Sequence, residues 1–151
     1  MKDRIKLHDK VFKPLIPVDQ IERAIDGVAA KINRDYEGTD TVPVLLCVLN
    51  GSILFTAELM KRLDFDVDLM SIKLSSYQGT SSTGAVHLDM GLTGDITGKE
   101  VIIVEDIVDT GRTIEALVKI LYARKAARSR SAPCSSNPRC TTRAFPWTTW
   151  P

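Results

Sequence analysis

The residues able to do chemistry are concentrated in one segment, VIIVEDIVDTGRT, from Val101 to Thr113. Four β-branched aliphatics, Val101–Val104, read as a buried strand that delivers two adjacent carboxylates, Glu105 and Asp106, to its carboxyl end. Ligands bind at that end in open α/β sheets. Asp109-Thr110-Gly111-Arg112-Thr113 follows as a tight loop leading into a helix. Such a loop aims backbone N–H groups outward at the positive end of the helix dipole, which suits a phosphate. Thr110 and Thr113 add hydroxyl donors, and Gly111 lets the backbone approach closely. Carboxylates beside a phosphate are repelled by it unless they hold sugar hydroxyls or a hard cation such as Mg²⁺. The combination describes a phosphorylated ribose with Mg²⁺. The strand alone, an apolar run with an acidic end, also fits any Rossmann-like sheet.

The elements around this segment must place it. Pro17 opens a helical pattern with Ile21, Ala24, Ile25, Val28, Ala29 and Ile32 on one face, ending near Tyr36 before Glu37-Gly38. PVLLCVL, Pro43 to Leu49, predicts a strand buried on both faces. Asn50-Gly51 breaks it, and Ser52 is placed to cap a helix running to about Leu63. Asp66 to Ser76 and Ala85 to Gly91 predict two further strands around the polar loop YQGTSSTG, residues 77–84. Thr113 to about Lys125 returns to helical spacing with Ile114, Leu117, Val118 and Leu121. Residues 1–16 read as a lead-in with one short extended stretch. Alternating strands and helices predict an α/β fold with a mainly parallel sheet.

The chain has 151 residues, enough for one domain with its own core. It has no apolar run of spanning length and no secretory h-region in MKDRIKLHDKVFK, so neither a membrane partner nor a signal is expected. Cys47, Cys134 and Cys140 are odd in number and sparse, which points to a reducing, cytoplasmic setting. Cys47 reads as an inert buried thiol, and Cys134 and Cys140 have no zinc-type spacing. His8 and His87 read as surface or rim residues. The net charge of +1 conceals a break. Residues 1–122 carry all 19 acidic residues and 39 Val, Ile and Leu, whereas the last 29 residues carry six basic residues and none of those.

VIIVEDIVDTGRT resembles the phosphoribosyl-pyrophosphate (PRPP) motif of type I phosphoribosyltransferases. VLNGS, Val48–Ser52, is similar to the pyrophosphate loop of the hypoxanthine-guanine branch, and SSY with SSTG, Ser75–Tyr77 and Ser81–Gly84, to its mobile catalytic loop. Alone, Asn-Gly is a common turn and a tyrosine at a strand end is usually packing. The resemblance covers roughly residues 5–125. It implies transfer of a phosphoribosyl group from PRPP to hypoxanthine or guanine. It implies that Glu105 and Asp106 hold ribose hydroxyls and Mg²⁺, that Asp109, Thr110, Gly111, Arg112 and Thr113 bind the 5′-phosphate, and that Asp109 is the base at purine N7. By the same resemblance Asn50 and Gly51 meet pyrophosphate, after a peptide that is cis in some members. Ser76 and Tyr77 close over the site. The family often has Arg or Lys where Asn50 stands. A homodimer or homotetramer is implied as well.

In the family a strand and a purine-binding hood follow the PRPP helix, with a lysine donor and a stacking aromatic. Residues 123–151 have none of these in register. The expectation is a core over residues 1–125 with the last strand and hood missing, followed by an irregular, exposed tail from residue 126. From Ser131, the third base of each codon read with the first two of the next permits Cys-Thr-Leu-Leu-Phe-Lys-Pro-Glu-Val-Tyr-His-Lys-Gly-Ile-Pro-Val-Asp-Tyr-Val. That sequence has the aliphatic strand and lysine the family requires, so the tail reads as translation in a displaced frame, on an enzyme inactive as it stands. A basic disordered tail is the other reading. A PRPP-sensing regulator that binds nucleic acid through the basic arm is the second function considered, against an acidic body and no aromatic interleaving. No nucleic-acid partner is therefore expected.

Overall fold

The computed structural model describes residues 4–12, 16–76, 86–92, 94–108 and 111–133. A hairpin of β1 (Ile5–Leu7) and β2 (Lys10–Phe12) comes first, so the lead-in holds two paired strands where one extended stretch is expected. Then follow α1 (Val18–Tyr36), β3 (Val44–Leu49), α2 (Ile53–Met60), β4 (Asp68–Ser76), β5 (Val86–Met90), β6 (Glu100–Glu105), α3 (Arg112–Ala123) and β7 (Arg128–Pro133).

The main sheet runs β5-β4-β3-β6-β7. β3 pairs in parallel with β4 and β6, β6 pairs in parallel with β7, and β5 is antiparallel on β4. The central strand explains its own place. Val44, Leu45 and Leu46 are fully buried, and successive side chains enter opposite faces of the sheet. Leu45, with Ile102 and Val104, packs with Ile25, Ala29 and Ile32 of α1 and Phe55 and Leu59 of α2. Val44, Leu46 and Val48 pack with Val101, Ile103 and Ile114, Leu117 and Leu121 of α3. Two helices on one face and one on the other cover a sheet that is apolar on both sides.

The helix boundaries follow from local chemistry. The Pro17 carbonyl accepts from Gln20 N–H and Ile21 N–H and starts α1. α3 ends in a Schellman closure: Ala126 N–H donates to Leu121 O at 3.1 Å and Lys125 N–H to Tyr122 O at 2.9 Å. Lys125 takes the left-handed conformation this closure needs, with φ +58°.

The tail departs from expectation over residues 128–133. These six residues form β7, the strand expected to be missing, in register from Glu100↔Arg128 to Glu105↔Pro133. Backbone pairing needs no aliphatic side chain, and the Schellman turn aims the chain along β6. Ala127 N–H then donates to Lys99 O at 2.9 Å. Ala132 is buried, and Arg130 reaches Asp35 at 2.9 Å and lies over the Tyr36 ring at 5.7 Å. Composition shows apolar content but not pairing capacity, which is why Arg-Ser-Arg-Ser-Ala-Pro does not announce a strand. The rest of the tail, with Cys134 and Cys140, lies outside the described residues.

Candidate active site

The crossover after β3 runs through α2 to β4, and the crossover after β6 runs through α3 to β7 on the other side. The carboxyl ends of adjacent β3 and β6 therefore open a crevice where the chain direction switches, the place where such sheets bind ligands. Two of the sequence-predicted segments meet there.

From β3, the Leu49–Asn50 peptide is cis, and Asn50 and Gly51 form an exposed tip. From β6 come Glu105 and Asp106, both half-buried. A Cβ placed on Gly51 would stand 2.7 Å from Asp106 Cγ and 2.8 Å from its Oδ1, so only glycine admits this approach. Glu105 Oε2 is buried with no hydrogen-bond partner. Burial first, and then the neighbouring Asp106 carboxylate, pushes the Glu105 carboxyl up to about 8. The pair is a high-energy arrangement of acids that a cation or hydroxyl donors would relieve.

Gly111 stands at the N-cap of α3 with φ +78° and no side-chain capping bond. Glu115 N–H donates to Gly111 O at 2.9 Å, which closes the first turn and leaves earlier N–H groups of α3 free of helix partners. Thr113 is half-buried in that turn. Arg112 begins α3, and Ser76 ends β4, by backbone position. Tyr77, Asp109 and Thr110 lie outside the described residues, as do the side chains of Ser76 and Arg112.

Ser52 departs from its expected role. It occupies the N-cap of α2 without a capping bond, and its hydroxyl donates backward to Val48 O at 2.7 Å. The sequence rule names the position and not the direction, which burial decides: Ser52 is fully buried. Sequence reasoning also passed over Ile107, which stands 61% exposed directly after the carboxylate pair. Its signal is an apolar residue inside a polar loop. Among the described residues, no group of three or more His, Cys, Asp or Glu is placed to hold a metal ion.

The family model of the phosphoribosyl transferase domain matches residues 17–144. A hypoxanthine-guanine phosphoribosyltransferase of Streptococcus pneumoniae is 36% identical over 133 residues, covering 87% of this chain and 73% of the relative. A hypoxanthine-guanine-xanthine phosphoribosyltransferase of Tritrichomonas foetus is 40% identical over 119 residues, covering 79% of this chain and 64% of the relative. The crystal structure of a hypoxanthine phosphoribosyltransferase from Staphylococcus aureus superposes with a TM-score of 0.71 at 32% identity. It shares 79% of this chain and 64% of its own. This chain thus spans about two thirds of the length of these proteins. None of the three is named for regulation or nucleic-acid binding, and that alternative gains no support. Sequence, fold and crevice agree: the chain belongs to the phosphoribosyltransferase family, in its hypoxanthine-guanine branch.

Proposed function

We propose that this chain is a purine-salvage transferase, joining hypoxanthine or guanine to PRPP to give IMP or GMP and pyrophosphate. The contact of Gly51 with Asp106 carries the reading, because it brings the pyrophosphate loop against the ribose-binding carboxylates at the switch point. Bond breaking at the anomeric carbon develops positive charge there and negative charge on the leaving pyrophosphate. The carboxylates Glu105 and Asp106 suit the first, and the backbone N–H groups of Asn50 and Gly51 suit the second. Residues Asp109 to Thr113, at the free N–H groups that open α3, take the 5′-phosphate. Asp109 takes the proton from purine N7, and Ser76 and Tyr77 close over the reactants to exclude water. Ile107 offers its side chain to the face of the base.

Mg²⁺ is the cofactor of this reading, and the donor set fits it. Glu105 Oε2, buried and without a partner, and the adjacent Asp106 are hard oxygen donors, with substrate oxygens and water to complete the shell. When bound, the ion supplies charge neutralisation for the pyrophosphate. The same reading places the protein in the cytoplasm as a homodimer or homotetramer. No helix among the described residues is long and apolar enough to cross a membrane.

Calorimetric titration with PRPP and Mg²⁺ tests the site, and the expected result is one saturable site. Loss of that heat with Glu105→Gln and Asp106→Asn combined supports the assignment. Unchanged PRPP binding in the double variant, with purine binding abolished, would overturn it.

A further inference from the structure

The loop assigned above to pyrophosphate is held by buried hydroxyls. Ser52 is fully buried and Thr56 is 2% exposed, and both follow the exposed tip at Asn50 and Gly51 in the chain. Ser52 Oγ donates to Val48 O at 2.7 Å, and Thr56 Oγ1 donates to Ser52 O at 2.8 Å. Thr56 N–H donates to the same carbonyl at 2.7 Å. Cys47 Sγ lies 3.3 Å from the Ser52 hydroxyl on the strand side. The backbone bond that closes the same span, Ser52 N–H to Val48 O, is long at 3.4 Å.

An N-cap serine ordinarily turns its hydroxyl toward its own helix. Ser52 turns it toward the preceding strand. The bond joins the last inner residue of β3 to the residue before α2, and Leu49, Asn50 and Gly51 between them become a closed loop fixed at both ends. Thr56 fixes the helix end of that closure in turn. The Ser52 and Thr56 side chains are buried, so they act on the loop from within the protein.

We propose that Ser52 is a positioning residue for the pyrophosphate loop, holding it in the conformation in which Gly51 packs on Asp106. The proposal rests on the reading of that loop given above. Binding to a loop that visits several conformations is weakened by the fraction of time it spends in the competent one. Loss of one buried hydrogen bond therefore lowers apparent affinity about five- to tenfold.

The test uses the full chain, inorganic pyrophosphate with Mg²⁺ as the titrant, and backbone hydrogen exchange of the free protein. Ser52→Ala is expected to weaken pyrophosphate binding about five- to tenfold well below its melting temperature and to speed exchange at Asn50, Gly51 and Ser52. Thr56→Val, which keeps the side-chain shape, is expected to do the same to a smaller extent and stands in where Ser52→Ala does not fold. Tyr36→Phe removes a 2.9 Å hydrogen bond to Glu100 at the opposite end of β6. It should lower melting temperature without altering either readout. Unchanged exchange in the loop of both hydroxyl variants overturns the proposal. A parent chain that fails to bind pyrophosphate while its loop exchange still depends on Ser52 refutes the pyrophosphate reading and leaves the clamp itself supported. Equal loss of affinity in Tyr36→Phe would make the effect general destabilisation and overturn positioning.

Discussion

Gly51 and Asp106 come from different strands, β3 and β6, and meet so closely that no side chain fits between them: a Cβ on Gly51 would lie 2.7 Å from the carboxylate carbon. The atoms in the way belong to the tip of a side chain and not to backbone. Gly51→Ala is therefore expected to move the Asp106 carboxylate and cost little stability, about 1 kcal/mol or less by thermal unfolding. PRPP affinity should fall at least about tenfold in calorimetry, because the displaced group is one of the two carboxylates proposed to hold ribose. Near-normal PRPP affinity with an intact fold would remove this contact from the site.

Glu105 gives a pH dependence of defined sign. Its carboxyl is raised from 4.5 to about 8, by burial first and then by Asp106. The folded chain holds this proton more tightly than the unfolded chain. The stabilisation is complete below 4.5 and is lost as pH rises toward about 8. The group is only half-buried, so solvent reduces the effect to about 1–2 kcal/mol. Melting temperature measured across that range should fall more steeply for the parent than for Glu105→Gln, and the variant should be the more stable at the alkaline end. Parallel curves for the two proteins would show that the carboxyl titrates normally.

Lys125 carries the turn that brings β7 to the sheet, at φ +58°. A side chain there costs about 1–2 kcal/mol relative to glycine, which in turn loses more entropy on folding. Lys125→Gly is expected to stabilise by about 0.5–1 kcal/mol net, raising the melting temperature by about 2–5 °C. A lower melting temperature would mean that the turn is not formed in solution.

What sequence reveals of this fold is what local chemistry controls. Val101–Val104 and PVLLCVL declare themselves because a strand covered on both faces is apolar throughout. The helix around Ile25, Ala29 and Ile32 shows its period, and the segment Glu105 to Thr113 holds the residue types on which the proposed ligand class rests. Features decided by distant partners do not show. That β5 runs antiparallel on β4, that Ser52 turns back to Val48, and that Arg128–Pro133 pairs with β6 all depend on which edge or carbonyl stands nearby. The Gly51–Asp106 contact joins residues far apart in the chain, and only the sheet order brings them together.

Asp109 is expected to meet PRPP only through the backbone of the phosphate loop, its carboxylate acting in proton transfer, since it follows the carboxylate pair on the way to α3. In a version with the displaced reading frame restored from Ser131, Asp109→Asn should lower kcat about 10²–10⁴-fold with PRPP affinity little changed. Equal kcat for variant and parent removes Asp109 from that role.

The tail sets the last expectation. Residues 123–151 bring six basic residues, no acidic ones and no Val, Ile or Leu, and β7 takes its place beside β6 with Arg-Ser-Arg-Ser-Ala-Pro. The edge of the sheet is thereby filled by backbone pairing, so the PRPP side of the crevice has its neighbouring strand. Purine recognition is a different demand. It needs a donor for the exocyclic oxygen and a ring against the base, held in fixed geometry, and the family resemblance places both in the stretch that the displaced frame would encode. Small misplacements of such groups cost about a hundredfold in rate. The chain as it stands is accordingly expected to bind PRPP and to form nucleotide from hypoxanthine at least about a hundredfold more slowly than the frame-restored version. Both are assayed side by side for nucleotide formation from hypoxanthine, PRPP and Mg²⁺. Comparable turnover would refute the displaced-frame reading and make the basic tail a working part of the purine site.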